Sequence, residues 1–113
     1  MLFRSLAWAV GIFEGEGTIT PHGKRKDGSR PWALYMQSTD RDVLDRLRVV
    51  LGGTVCGPYR RGHHKPFWQW NLYPQAEIEE TLTRMAPFLC NRRAARAVVA
   101  IEEIRAWRLS KQS

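Results

Sequence analysis

The stretch Ala9-Val10-Gly11-Ile12-Phe13-Glu14-Gly15-Glu16-Gly17 constrains this chain more than any other. Leu6, Ala9, Val10 and Phe13 recur at spacings of three and four, which predicts a helix from Leu2 to about Gly15. That helix ends on two carboxylates. Backbone carbonyls at a helix C-terminus carry partial negative charge, so cations are favoured there and Glu14 and Glu16 are not. A divalent cation at the helix tip would compensate the acids and take a backbone carbonyl as a further ligand. Alternatively, Gly15 and Gly17 only stop the helix, and the glutamates face water. Ala7, Gly11 and Gly15 form a second stripe of the same helix, uniformly small. Glycine inside a helix costs roughly 1 kcal/mol relative to alanine. The stripe therefore suits a surface that another backbone approaches closely; mere tolerance of Gly11 leaves its uniform smallness unexplained.

The chain has 113 residues, enough for one modest core, and we expect a single domain over 1–113 with a frayed tail from about 110. Eighteen Lys and Arg against eleven Asp and Glu give a formal charge of +7. That excess points to a polyanionic partner, with nucleic acid the first candidate. A hydrophobic content of 43% argues against disorder away from the ends. Cys56 and Cys90 lie far apart, without CxxC spacing, and read as reduced core thiols of an intracellular protein. His22, His63 and His64 have no zinc-ligand spacing with them. No segment approaches about 18 apolar residues, so no membrane partner is expected. The first apolar run leads into Glu14 and Glu16 without a small-residue cleavage site, unlike a signal peptide.

From Glu16 to His22 the pattern alternates, with Glu16, Thr18, Thr20 and His22 on one strand face and Gly17, Ile19 and Pro21 on the other. Gly23 to Arg30 is a basic turn. Pro31 to Ser38 is the return strand, with Trp32, Leu34 and Met36 inward and Ala33, Tyr35 and Gln37 opposite. Thr39 opens a second helix, with Asp42 completing an imperfect capping box. Its apolar stripe is Val43, Leu44, Leu47, Val50 and Leu51, and Gly52-Gly53 ends it. A third strand is expected over Thr54–Arg61, a second basic turn over Gly62–Lys65 and a fourth strand over Phe67–Tyr73. Trp68, Trp70 and Leu72 share a face opposite Phe67, Gln69 and Asn71. The tryptophans read as core, with base stacking as the alternative. Pro74 starts a third helix, with Glu77, Glu79 and Glu80 in its first turns and Ile78, Leu82, Met85 and Leu89 buried. Pro87 bends or ends it. The last helix runs from Asn91 to about Leu109, with Val98, Ile101 and Ile104 inward. Arg92, Arg93 and Arg96 crowd its start against the dipole, through either a nearby anion or a generally basic surface.

The order α-β-β-α-β-β-α, with the opening stretch ending the first helix, resembles the LAGLIDADG homing endonucleases. Gly11 and Gly17 coincide with the glycines of that family's motif, and Glu14 and Glu16 replace its two aspartates. An aromatic before Glu-Gly-Glu-Gly fits the looser consensus. Ala86-Pro87-Phe88-Leu89-Cys90-Asn91-Arg92-Arg93-Ala94 is similar to the family's Pro-aromatic-Leu segment and the basic residues after it. The resemblance implies an α+β fold: a four-stranded antiparallel, saddle-like sheet backed by helices, with the motif helix at a homodimer interface. It implies a site-specific endonuclease that breaks both strands of DNA at a long pseudo-palindromic site, often intron-encoded. The implied cofactor is Mg2+, with Mn2+ or Ca2+ able to substitute in binding, and no small-molecule cofactor. The implied location is intracellular, in a bacterial or phage-infected cytoplasm or an organelle.

By the same resemblance, Glu16 and the Gly15 carbonyl bind metal, and Glu14 supports the helix tip. Arg92 stands where the family often has a lysine near the scissile phosphate, and keeps the charge without the compact ammonium. Gln37 orders the water network. Ala7, Gly11 and Gly15 form the dimer seam. Thr18, Thr20, His22, Tyr35, Gln37, Tyr59, Arg61, Gln69 and Asn71 would read base edges in the major groove. Lys24, Arg25, Lys26, Arg30, Arg60 and Lys65 would meet phosphates. The alternative is a non-cleaving DNA- or RNA-binding module on the same fold, a maturase or repressor; retention of Glu14 and Glu16 weighs against it. A protein-interaction domain with no nucleic-acid role leaves the charge of +7 unexplained.

Overall fold

The motif helix runs one residue past its expected end. In the computed structural model, which describes residues 3–112, α1 spans Phe3–Glu16. The expected start at Leu2 lies outside the described residues. Glu16 is thus helical and does not open the strand, because Gly15 leaves the helical ladder intact and the Gly17 N–H still reaches back to the Phe13 carbonyl at 2.8 Å. There follow β1 (Thr18–Pro21), β2 (Trp32–Ser38), α2 (Arg41–Leu51), β3 (Thr54–Tyr59), β4 (Phe67–Leu72), α3 (Gln75–Met85), a 3-10 turn (Ala86–Phe88) and α4 (Asn91–Ser110). The strands form one four-stranded antiparallel sheet in the order β1-β2-β4-β3. This is the element order expected from the sequence, with the Pro87 break drawn as the 3-10 turn. The chain divides into two compact units: Met1–Thr18 with Tyr35–Leu72, and Ile19–Leu34 with Tyr73–Ser113.

In the first unit the buried side chains are Ala9, Val10 and Phe13 of α1, Leu44 and Leu47 of α2, and Met36, Trp70 and Leu72 of the strands. Phe13 meets Trp70 edge-on, with ring centroids 6.4 Å apart at 85°. A buried indole needs a partner for its N–H; Trp70 Nε1 donates to the Gly52 carbonyl at 2.7 Å. Gly53, at φ 89, admits no side chain, since a Cβ there would stand 2.5 Å from the Asn71 carbonyl oxygen. The cap of α2 is Asp40 and not Thr39. The Asp40 carboxylate accepts from the Asp42 N–H at 3.0 Å, so the helix starts at Arg41.

The last glycine of the motif has a steric reason as well. A Cβ on Gly17 would lie 2.3 Å from Phe13 Cδ2 and 2.5 Å from Cε2, against a ring with no exposure. Gly17→Ala should therefore destabilise the fold by about 1–3 kcal/mol, the usual cost of overpacking a close-packed core. Urea unfolding measures it, and an unchanged midpoint would remove the steric account.

The β3–β4 hairpin pairs Thr54 with Asn71, Val55 with Trp70, Cys56 with Gln69 and Tyr59 with Phe67. Between Cys56 and Tyr59 the register shifts, with three residues of β3 set against two of β4. Such a bulge flips the alternation, so Tyr59 joins the face of Cys56 and Gln69. The strand ends at Tyr59, leaving Arg60 and Arg61 in the turn, and β4 ends before Tyr73. Cys56 is not a core thiol: it lies on the edge strand opposite Gln69 and is exposed. Cys90, preceding α4, is exposed as well, and neither cysteine forms a disulfide.

In the second unit the buried residues are Ile19, the start of β2 (Trp32, Ala33, Leu34), Ile78, Leu82 and Met85 of α3, Leu89, and Ala97, Ala100, Ile101 and Ile104 of α4. Ala33 is buried although it faces away from its neighbours, so β2 is covered on both sides here. Val98 does not point inward; it is 47% exposed. Helical phase selects positions 97, 100, 101 and 104, and small Ala97 holds the place expected for Val98. The Gln75 side chain closes the start of β2: its Oε1 accepts from the Trp32 N–H and its Nε2 donates to the Trp32 carbonyl, each at 2.8 Å. Arg96 Nε donates to the Ile19 carbonyl at 3.0 Å, with the guanidinium 5.3 Å from the Trp32 ring centroid. One of the three arginines at the start of α4 is thus answered by β1 backbone.

Glu79 of α3 sits between two arginines of α4, 2.9 Å from Arg105 Nε and 2.8 Å from Arg108 Nη1. The Arg105 hydrogen bond, then that of Arg108, holds its carboxyl below the usual range. A depressed folded pKa gives stabilisation that is complete above the unfolded value of about 4.3 and is lost as pH falls through the folded value. Both arginines are about half exposed, so screening keeps the contribution small. Glu79→Gln should cost about 1 kcal/mol at pH 7. The cost should shrink as pH falls through the folded value, and a cost that stays constant from neutral to acid pH would contradict the linkage.

Candidate functional site

The end of α1 and the end of β2 enclose an open groove of about 590 Å³ in the first unit. Glu16, Gln37, Ser38 and Thr39 supply its polar groups, and Ile12 and Phe67 its apolar walls. Two of the three residues expected to be catalytic, Glu16 and Gln37, therefore line one groove. Glu16 is exposed, and among the described residues it joins no ion pair, although the chain carries a charge of +7. Its neighbour Gly15 is also exposed and lies in the last turn of α1, where carbonyls have no helical donor. A carboxylate, a backbone carbonyl, an amide and two hydroxyls are hard oxygen donors of the kind that suit Mg2+ or Ca2+. Among the described residues there is no group of three or more His, Cys, Asp and Glu placed to hold a metal. Arg92, the third expected residue, is exposed in the first turn of α4, in the second unit.

A row of side-chain amides crosses from β2 to β4. Gln37 Nε2 donates to Gln69 Oε1 at 2.8 Å, and Gln69 Nε2 donates to Asn71 Oδ1 at 2.5 Å. Asn71 is only 6% exposed, which corrects its expected role as a base reader: it backs Gln69 from within the sheet. The β3–β4 register keeps Phe67 on this face, as expected, and also places Thr54 and Cys56 there, and those two were missed. Gly57-Pro58 in mid-strand was the available signal, since glycine and proline inside a strand mark bulges. Tyr59 is exposed and packs its ring 5.7 Å from Phe67, which Arg61 overlies at 5.0 Å. Tyr35 is half-buried.

Of the expected polar run Glu16, Thr18, Thr20 and His22, only Thr18 and Thr20 lie in β1. His22 follows the strand, exposed, with its ring 5.1 Å from Tyr73. The first basic turn is tied to itself and to α4. Ser29 donates from its N–H and its hydroxyl to Asp27 Oδ1, at 2.9 and 2.6 Å, and these bonds hold the Asp27 carboxyl below its usual range. Arg25 lies 3.7 Å from the centre of the Trp107 ring, and Arg30 is 3.9 Å from Glu103. Lys24 and Lys26 are exposed beside them, as are Arg60, Arg61 and Lys65 in the second turn.

No helix among the described residues is long and apolar enough to cross a membrane. The four helices, the sheet order and the motif helix together are the fold of the LAGLIDADG homing endonucleases. The homing endonuclease I-CvuI, solved with its target in the presence of 2 mM Ca, matches with TM-score 0.72 and 22% identity over 92% of this chain and 69% of its own. The homing endonuclease I-TnaI matches with TM-score 0.72 and 18% identity over 93% and 74%. The LAGLIDADG meganuclease I-AabMI, solved bound to uncleaved DNA, gives TM-score 0.73 and 14% identity over 94% of this chain but 38% of its own. Identities of this size establish a shared fold. No protein-family model matches the sequence. A UPF0397 protein of Streptococcus thermophilus is 34% identical over 56 residues, 49% of this chain and 31% of that protein. This chain thus spans about a third of that protein's length.

Proposed function

We propose that this chain is a homodimeric, Mg2+-dependent, site-specific endonuclease that acts inside the cell as one domain and breaks both strands of DNA at a long pseudo-palindromic site. The observation that carries this is the groove shared by Glu16 and Gln37, at the end of a helix where a carboxylate is unfavourable without a cation. The structural neighbours support it, since two of them were solved with their DNA. Glu16 and the Gly15 carbonyl hold the metal, Mn2+ or Ca2+ substituting in binding. The chemistry a metal would supply there is activation of a water and stabilisation of the leaving oxygen. Gln37 orders water beside Glu16 through its amide. Arg92 brings positive charge to the phosphate, as a fork and not a point. The dimer completes the set: Ala7, Gly11 and Gly15 are exposed, and a Cβ on either glycine would meet nothing within 4 Å. Among the described residues nothing requires glycine there, whereas a second α1 packed against the stripe would.

The strands then face the major groove with Thr18, Thr20, Tyr35, Gln37 and Tyr59, and with His22 and Arg61 beyond their ends. Lys24, Lys26, Arg60 and Lys65 meet phosphates, with Arg25 and Arg30 held back by Trp107 and Glu103. Arginine in place of lysine at Arg92 favours the second possibility, a non-cleaving DNA- or RNA-binding module. Selection of cleaved sites from a randomised library in Mg2+ separates the two. The expected product is one family of pseudo-twofold sites cut on both strands, bound with an affinity that falls steeply with salt. Salt-dependent binding without cleavage selects the module, and absence of salt-dependent DNA binding overturns both.

A further inference from the structure

The row of amides has a direction. A side-chain amide carries an acceptor at one end and donors at the other, so each link fixes which end of the next amide points onward. Asn71 Oδ1 takes the N–H of Gln69, which turns Gln69 Oε1 toward Gln37. That oxygen takes the N–H of Gln37, so the carbonyl oxygen of Gln37 is the end left without a partner among the described residues. Gln37 lines the groove with Glu16. The inner end of the row is anchored, because Asn71 is 6% exposed on a strand paired on both sides.

We infer that Asn71 and Gln69 are positioning residues, which hold the Gln37 amide so that its carbonyl oxygen, and not its NH2, is presented to the Glu16 groove as an acceptor for a water proton. This gives two residues expected to read bases a different task. Bidentate recognition of adenine needs both ends of an amide free, and in Gln69 both ends are engaged. The orientation matters for cleavage only if the groove is the cleavage site, and to that extent the inference rests on the proposed function. The orientation itself can be measured without DNA.

The first readout is proton exchange of the Gln37 side-chain NH2, followed by NMR in the free protein. Asn71→Leu and Gln69→Ala should each speed that exchange about tenfold, the factor for one lost hydrogen bond. Asn71→Asp keeps an acceptor for Gln69 and should stay within about twofold of the parent chain. Gln69 lies half-buried on the polar face, so Gln69→Ala still decides the matter should Asn71→Leu fail to fold. Unchanged exchange in both removal variants overturns the inference whatever the protein does to DNA. The second readout is cleavage of the selected site. Asn71→Leu should lower kcat about tenfold with KM and the accepted base pairs unchanged, and Asn71→Asp should restore it. A changed base preference at intact kcat identifies Gln69 and Asn71 as readers and overturns the inference. If the parent chain cleaves nothing, it is the nuclease proposal that fails, while the exchange rates still decide the orientation.

Discussion

Glu16→Gln should reduce DNA cleavage by at least about 10²–10³-fold, the scale on which removal of one preorganised electrostatic partner acts. Binding of the target should stay within about threefold, because the amide keeps the shape of the carboxylate and the phosphate contacts lie elsewhere. The same substitution should make the protein more stable. Glu16 is exposed at the C-terminal end of α1, where helix carbonyls concentrate negative charge; the last turn of α1 carries no basic residue, and among the described residues Glu16 joins no ion pair. Removing its charge should relieve about 0.3–1 kcal/mol of repulsion. Lost cleavage, retained binding and a raised Tm form a combination that misfolding cannot imitate. It is what a residue kept for chemistry at a cost in stability shows. Single-turnover cleavage, a binding titration in Ca2+ and a melting curve without metal provide the three measurements. Cleavage at the parental rate would end the catalytic assignment of Glu16, and a lowered Tm would mean that the carboxylate has a structural partner.

Much of this was legible from local pattern. The helix before Glu14 and Glu16, the order of strands and helices, and the stop at Gly52-Gly53 each depend on residues within one turn or one strand. Failures came where neighbouring positions competed for one role or where a distant residue decided. Val98 was placed inward with Ile101 and Ile104, yet the phase of α4 buries Ala97 and leaves Val98 47% exposed. Thr39 looked like the cap, but Asp40 reaches the Asp42 N–H with a charged oxygen. Ala33 is covered on both sides of its strand, which alternation along one strand cannot report. Cys56 was read as a core thiol from its distance to Cys90 and the lack of CxxC spacing, and only the pairing with Gln69 and the bulge at Gly57-Pro58 show which way it faces. At the site, Glu16 and Gln37 were named through resemblance to a family, and the groove then placed them together. The withdrawal of Arg25 and Arg30 onto Trp107 and Glu103 had no local trace, since a basic turn reads the same whether its charges are solvated or paired across the fold.

Gly11→Leu should split the proposed dimer and abolish the proposed cleavage while leaving the isolated chain at least as stable as before. The two halves of that expectation have separate causes. Within one chain a Cβ at Gly11 meets nothing within 4 Å, so the leucine enters open space. Replacing glycine in the middle of α1 removes a helix-propensity penalty of roughly 1 kcal/mol. Across a two-fold seam the same side chain enters twice, once from each copy. Overpacking costs about 1–3 kcal/mol per site, so the pair should cost about 2–6 kcal/mol and weaken dimerisation by roughly 30-fold to 10⁴-fold. Sedimentation at falling protein concentration should show a monomer where the parent chain is still a dimer, with Tm at the lowest concentration unchanged or raised. Cleavage should fall with the dimer, because two copies of Glu16 then no longer meet. Gly17 offers the internal contrast. There the same kind of addition strikes the Phe13 ring of its own chain and should lower stability at every concentration. A Gly11→Leu protein that dimerises with the parental constant and cuts both strands would show that the small stripe of α1 faces water, and the partner that completes the ligand set around Glu16 would have to be sought on another face.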